Sequence, residues 1–341
     1  MRHRVLATIR AASAGAAVLF WAPAFVSAQT PPASQAKAAP RPAAAKPWTV
    51  PRTPDGQPDL QGYFTNPNFT PLERPAQFAS KEFFTDEEEA EFYKAAIAYS
   101  YEFTFENSAE TPVYDATVYA LDRWQIGARP NKRTSLIVDP PDGKIPPRTP
   151  AGDARAAASR PKTTLDGPED VPARTRCMGG GPEMIGTGYR SQYQIIQSRD
   201  YVLIVFEHMH NVRVIPLDGR PHLPRGLTRT VGDSRGRWEG DSLVVETMNI
   251  AAEDRLVGSS TALRLVERFT RTSPDTVVYK MTADDPATWT KPWTAEVPLL
   301  QIEGPIFEYA CHEGNNGLIN MLQGARAQEK TAAKGLKKGS E

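Results

Sequence analysis

Residues 192–216 read QYQIIQSRDYVLIVFEHMHNVRVIP, and residues 232–247 read GDSRGRWEGDSLVVET. Tyr, Ile and Val dominate 192–197 and 201–206. Ser198 to Asp200 separate the two runs, a length that suits a hairpin. Residues 211–215 form a third run, closed by the turn Pro216-Leu-Asp-Gly219. Trp238 precedes another turn, Glu239-Gly-Asp241, and 242–247 is the next strand. Short strands joined by short turns predict an antiparallel meander.

The pattern continues downstream. Residues 263–271 alternate, with Leu265, Glu267 and Phe269 on one side and Val266, Arg268 and Thr270 on the other. Ser273-Pro-Asp275 is a turn, and 276–284 answers it as the second arm of a hairpin. Residues 289–300 are a further strand, broken at Pro292 and Pro298, and 317–326 read as a short terminal helix. About seven or eight strands follow Gln192. The expected fold is mainly β: an antiparallel lipocalin-like barrel or curled sheet with one or two peripheral helices, or a two-sheet sandwich as the alternative.

Upstream, Arg2, Arg4 and Arg10 precede an apolar run, and Val26-Ser27-Ala28 offers small residues for cleavage. This is the pattern of a signal peptide over 1–28. Residues 29–47 are Ala- and Pro-rich and read as a linker that cannot bury apolar surface. A single β-rich domain is expected over 48–326, with a polar tail over 327–341. Within it, 48–75 read as extended coil wrapping the scaffold. A helix is expected over 85–100, where Thr85 and Glu88 form a capping box; the aromatic-rich stretch 93–105 reads as packing. Residues 114–124 are ambiguous, and 133–138 read as a strand. Residues 148–172 read as a polar excursion, either a lid over a site or a surface insertion.

The 40 basic and 40 acidic residues balance, and no basic stripe marks a nucleic-acid surface. The expected partner is a small molecule, with no membrane contact after signal cleavage. In an exported, periplasmic or secreted chain, Cys177 and Cys311 invite one disulfide; two separate thiols are the alternative.

Four stretches are similar to the signature segments of a large family of secreted bacterial proteins. They are GDSRGRWEGDSLVVET (232–247), IPLDGRPH (215–222), DPATWTKPWT (285–294) and EYACHEGN (308–315). The resemblance spans about Pro51 to Arg326. It implies export and approximate boundaries, but no activity.

The chemistry-bearing residues allow several readings. His208 and His210, two apart on an expected strand, would share a face and could begin a divalent-metal site, completed by His222, His312, Glu313 or Glu239. Without a metal, His210 could act as base or acid. Asp241, Glu239 or Glu313 could orient it, and Arg213, Arg235 or Arg237 could bind a carboxylate. His312 and Glu313 follow Cys311 directly. These residues support an enzyme of hydrolase, lyase or isomerase type, carried by His210, Arg213 and His312. The competing reading is a non-catalytic carrier of an apolar or aromatic ligand, with Trp238, Trp289, Trp293 and Tyr309 as stacking surface. The Gly-x-Ser-x-Gly elbow of serine hydrolases is absent, and Gly179 to Gly181 lack the ending of a phosphate loop.

Overall fold

The computed structural model describes residues 48–66, 70–79, 81–92, 94, 131–158, 164–186, 191–251 and 256–338. The expected signal peptide and linker, the aromatic stretch 93–105 apart from Lys94, and the ambiguous stretch 114–124 lie outside the described residues.

Ten strands form one antiparallel sheet. They are β1 (Gly62–Thr65), β2 (Ile137–Asp139), β3 (Gln192–Gln197), β4 (Tyr201–Phe206), β5 (Val212–Pro216), β6 (Asp233–Glu239), β7 (Ser242–Met248), β8 (Arg264–Ser273), β9 (Thr276–Asp284) and β10 (Trp293–Ile302). Eight of them begin at or after Gln192, and β1 and β2 bring the sheet to ten strands, more than the seven or eight expected. Their order is β5-β4-β3-β1-β10-β9-β8-β7-β6, with β2 pairing beside this path on β10. Two local meanders, β3 to β5 and β6 to β10, are thus joined only through β1. This four-residue strand pairs with β3 on one side and β10 on the other. It falls inside the segment expected to wrap as coil. Its partners lie over a hundred residues away, so nothing local marks it as a strand.

The sheet curls but does not close. A two-sheet sandwich does not form, and neither does a closed barrel, because no backbone ladder joins the two edge strands β5 and β6. The β4–β5 register pairs Ile204 with Arg213 and Val202 with Ile215. The flanking bonds Phe206 N–H to Asn211 O and Leu217 N–H to Asp200 O set the alternation. Arg213 and Ile215 therefore bond back to β4, and the amides of Val212 and Val214 point into the gap. The two edges nevertheless lie close. A Cβ on Gly236 of β6 would sit 2.7 Å from Ile215 Cγ2 and 2.8 Å from Leu217 Cδ2, so this approach requires glycine.

Alternation sets the interior. Tyr193, Ile195, Val202, Ile204, Leu243, Val245, Leu265, Phe269, Val277, Tyr279, Met281, Val297 and Leu299 are all buried there. Among them lies an ion pair, Arg213 of β5 and Glu267 of β8, both fully buried. Arg213 Nη1 donates to Glu267 Oε1 at 2.9 Å and to Pro182 O, while Nη2 contacts Glu267 Oε2 and Thr247 Oγ1. Nε donates to Ser234 Oγ of β6 at 2.9 Å. All five guanidinium N–H groups are thereby used. Tyr279 Oη donates to Glu267 Oε1 at 2.8 Å. Burial alone would push the Arg213 pKa down; Glu267 outweighs it and holds the pKa above its ordinary value. Burial and Glu267 push the Tyr279 phenol well above its ordinary value, so it stays a donor.

The periphery is helical. Thr85 N–H donates to Glu88 Oε2 at 2.8 Å and Glu88 N–H to Thr85 Oγ1 at 3.3 Å, the expected capping box, ahead of helical residues 86–92. The rest of the helix expected to Ser100, apart from Lys94, lies outside the described residues. The excursion 148–172 contains a helix, α1 (Pro150–Ala158). It packs on the 285–288 turn, with Arg155 donating to Ala287 O and Gly152 against the Thr288 carbonyl. The terminal helix, α2 (Asn316–Lys338), runs twelve residues beyond the expected end at 326, so 327–338 of the polar tail is helical. No described helix is long and apolar enough to cross a membrane.

Removing one partner of a buried, fully bonded ion pair strands the other. Glu267→Gln and Arg213→Met should each cost about 3–5 kcal/mol, whereas the double variant Arg213→Met, Glu267→Leu should recover most of that loss. Urea denaturation of the three variants checks this; a single-variant cost below about 1 kcal/mol would contradict it.

Candidate functional site

The residues singled out by sequence fall in four separate places. Arg213 lies in the core with every donor engaged, so it is a structural staple and cannot also bind a substrate carboxylate. Trp289 and Trp293 are buried against each other, ring centroids 5.6 Å apart and perpendicular, so they pack the core instead of presenting a stacking surface. Trp238 is partly buried against the same core. Asp241 sits at the β6–β7 turn and pairs with Arg52; both side chains are about half exposed. Arg237 and Arg268 both pair with Glu239 on the surface.

The two histidines are not on a strand. β4 ends at Phe206, and residues 208–210 form a tight turn in which Met209 (φ 61°) and His210 (φ 51°) are left-handed. The shared strand face expected for His208 and His210 therefore does not exist. His208 is buried and meets the Tyr309 ring edge-on at 4.8 Å. His210 Nε2 accepts the Tyr309 N–H at 2.9 Å, and Glu207 Oε2 accepts the Phe307 N–H at 2.7 Å. Among the described residues, no three His, Cys, Asp or Glu side chains are grouped as a metal site.

Cys177 and Cys311 form a disulfide, with Cα atoms 5.7 Å apart across a separation of 134 residues. Such a loop closure is worth about 4–5 kcal/mol in the chain-entropy account. The bond pins the C-terminal segment beside the 208–210 turn. Asn211 Nδ2 adds bonds to Gly179 O and Gly180 O, and Asn315 Nδ2 donates to Thr175 O at 2.8 Å. His312 and Glu313 are exposed in the turn beyond it. This station is a strap, with its polar atoms turned to backbone groups.

A candidate site lies on the outer side of the β5–β6 gap. There a cleft of about 560 Å³ is walled by Val212, Val214 and Pro216 of β5, the loop from Arg220 to Pro224, Arg229 and Val231, and the start of β6. This volume is in the range of small-molecule sites. His222 Nδ1 lies 2.9 Å from Asp233 Oδ2, which also accepts the Leu223 N–H at 2.8 Å. Arg235 Nη1 donates to Asp233 Oδ1 at 2.7 Å, and its other nitrogens bond Pro221 O and Arg220 O. Arg235 thus clamps the loop to β6 and neutralises Asp233. Burial raises the Asp233 pKa, but the Leu223 amide, His222 and Arg235 together hold it below the ordinary carboxylate value. Asp233 is 3% exposed and His222 is part-buried. His222 Nε2 stands 3.5 Å from Glu246 Oε1, a charge contact outside the usual hydrogen-bond range.

The sequence points to Arg235 for binding and to His222 only as an accessory metal ligand. It does not single out Asp233. One signal was available: His222 lies in the proline-flanked loop RPHLP, and chemistry is often carried on rigid loops.

No family model matches the chain, and no curated protein or solved structure matches it either.

An ionised Asp233 that accepts three hydrogen bonds stabilises the fold above its unfolded pKa, about 3.9. That contribution is lost as pH falls through the lower folded value. Urea midpoints of wild type should therefore drop as pH falls below about 4. Asp233→Asn should be less stable at pH 7 and should show a flatter acid limb. Parallel acid limbs in the two proteins would show that Asp233 is not held ionised.

Proposed function

We propose that the protein is an exported small-molecule enzyme that works by acid–base chemistry at His222 in the β5–β6 cleft. The observation that carries this reading is the His222 Nδ1 to Asp233 Oδ2 contact inside a cleft of ligand size. An ionised Asp233 can only accept, so the shared proton resides on His222 Nδ1. Nε2 of the neutral ring then carries the lone pair and can take a proton from a substrate or a water. Asp233 fixes the ring and its tautomer, the orienting role of the acid in Asp–His pairs. Glu246 stands beside the nitrogen that receives the proton. Hydrolysis, elimination and isomerisation are all within reach of this pair. Export is supported by the apolar N-terminal run after Arg10 and by the disulfide. The similarity of residues 232–247 to the family of secreted bacterial proteins belongs to the same proposal.

The carrier reading would use the same cleft without proton transfer. It loses two of its stacking residues, Trp289 and Trp293, to the core.

Screening the mature protein against small esters, lactones and isomerisable acids should give turnover. In the active assay, His222→Gln should lower kcat by about 100-fold or more. His210→Ala should leave kcat unchanged. Full activity in His222→Gln would overturn the assignment, and ligand binding without turnover across the panel would favour the carrier.

A further inference from the structure

The lining of the cleft is divided by chemistry. The β5 wall is apolar, Val212 and Val214, about half exposed, with Pro216, and Leu223 and Val231 add apolar surface from the facing loop. The other wall also presents arginines. Arg235 is consumed by Asp233 and the loop carbonyls. Arg220 spends Nε and Nη2 on Asp218, whose pKa its hydrogen bonds hold down to about 2, and Nη2 also reaches Tyr201 Oη at 3.1 Å. Arg220 Nη1 remains. Arg229 makes no side-chain hydrogen bond or ion pair among the described residues, although it lines the cleft. Among the described lining residues the carboxylate is Asp233, already neutralised by Arg235, and Glu246 beside His222 is paired with Arg264. The cleft is therefore lined by an uncommitted cation, an apolar β5 wall and His222.

We infer that the ligand of this cleft is a hydrophobic monocarboxylate. Its carboxylate would pair with Arg229 and the free edge of Arg220, and its apolar body would lie along Val212 and Val214. An uncommitted guanidinium selects a planar anion, which it can hold by two parallel bonds. The exposed valines select against a bare ion, since covering them removes apolar surface from water. This inference rests on the cleft being the working site, and it adds the chemical class of substrate.

The test is calorimetric titration of the mature protein with 4-phenylbutyrate, with its neutral amide and with inorganic phosphate. Amide NMR shifts at Leu223 and Asp233 would locate the binding. 4-Phenylbutyrate should bind and shift both amides, and the amide analogue should bind at least about tenfold more weakly, as expected for loss of one charge-assisted pair. Arg229→Gln should abolish that discrimination, while His222→Gln should retain it. Equal binding of the acid and its amide, phosphate binding as tight as 4-phenylbutyrate, or no shift at Leu223 and Asp233 would each overturn the inference. The two claims fail separately. Turnover lost in His222→Gln without carboxylate preference removes this inference alone. Carboxylate preference with no turnover of any acid removes the enzymatic reading and leaves the ligand class standing.

Discussion

One buried ion pair sets the form of this molecule. The sheet's two edges, β5 and β6, are consecutive in the chain yet lie at opposite ends of the strand order. No ladder ties them. Arg213 does so from the inside, reaching Ser234 on β6, Thr247 on β7 and Glu267 on β8 from a position on β5. A charged group in an apolar interior is tolerated only when its donors are all used and its charge is matched. Both conditions are met here, and meeting them holds the edge of β5 against the first residues of β6. The same β6 strand begins at Asp233, one residue before the Ser234 that Arg213 bonds. Ser234, which the staple bonds, and Asp233, the partner of His222, are thus neighbours in sequence whose side chains alternate to opposite faces of β6.

This arrangement explains why the outer side of the gap is a cleft. A closed ladder would bring Val212 and Val214 into backbone register with β6. Val212 and Val214 point outward from β5 and are about half exposed, with the 220–231 loop facing them across the cleft. Arg235 fastens that loop through Pro221 and Arg220 carbonyls, and Asp233 fastens it through the Leu223 amide. The disulfide acts at the other end of β5, where it pins the C-terminal segment to the 208–210 turn. The strand that walls the cleft is thus anchored at both ends and open along its free edge.

What was legible in the sequence was local. The hairpins after Gln192, the capping box at Thr85 and Glu88, and the inward face of Leu265, Glu267 and Phe269 all follow from spacing and turn chemistry. β1 was not legible, because only pairing with distant β3 and β10 makes it a strand. The His208 and His210 spacing misled, because the strand ends at Phe206 and two non-glycine residues turn left-handed, a conformation few sequences announce. Arg213 misled for a related reason. An arginine on a strand suggests ligand binding when its partner is unknown, and the partner lies 54 residues on. The alternation that placed Glu267 among buried residues was the available clue, since a carboxylate there demands a buried cation. The helix 316–338 ran past its expected end because Ala and Lys are strong helix formers even without a core to pack on.

The central claim is that side chains, not a backbone ladder, join the two edges of the sheet. Native-state hydrogen exchange on the ¹⁵N-labelled protein tests it most directly. Arg213 and Ile215 amides, bonded to β4, should be protected, while Val212 and Val214 amides on the same strand should exchange far faster. Val212 and Val214 protected as strongly as Arg213 and Ile215 would mean that β5 and β6 are laddered and the sheet is a closed barrel, contradicting the account of the cleft.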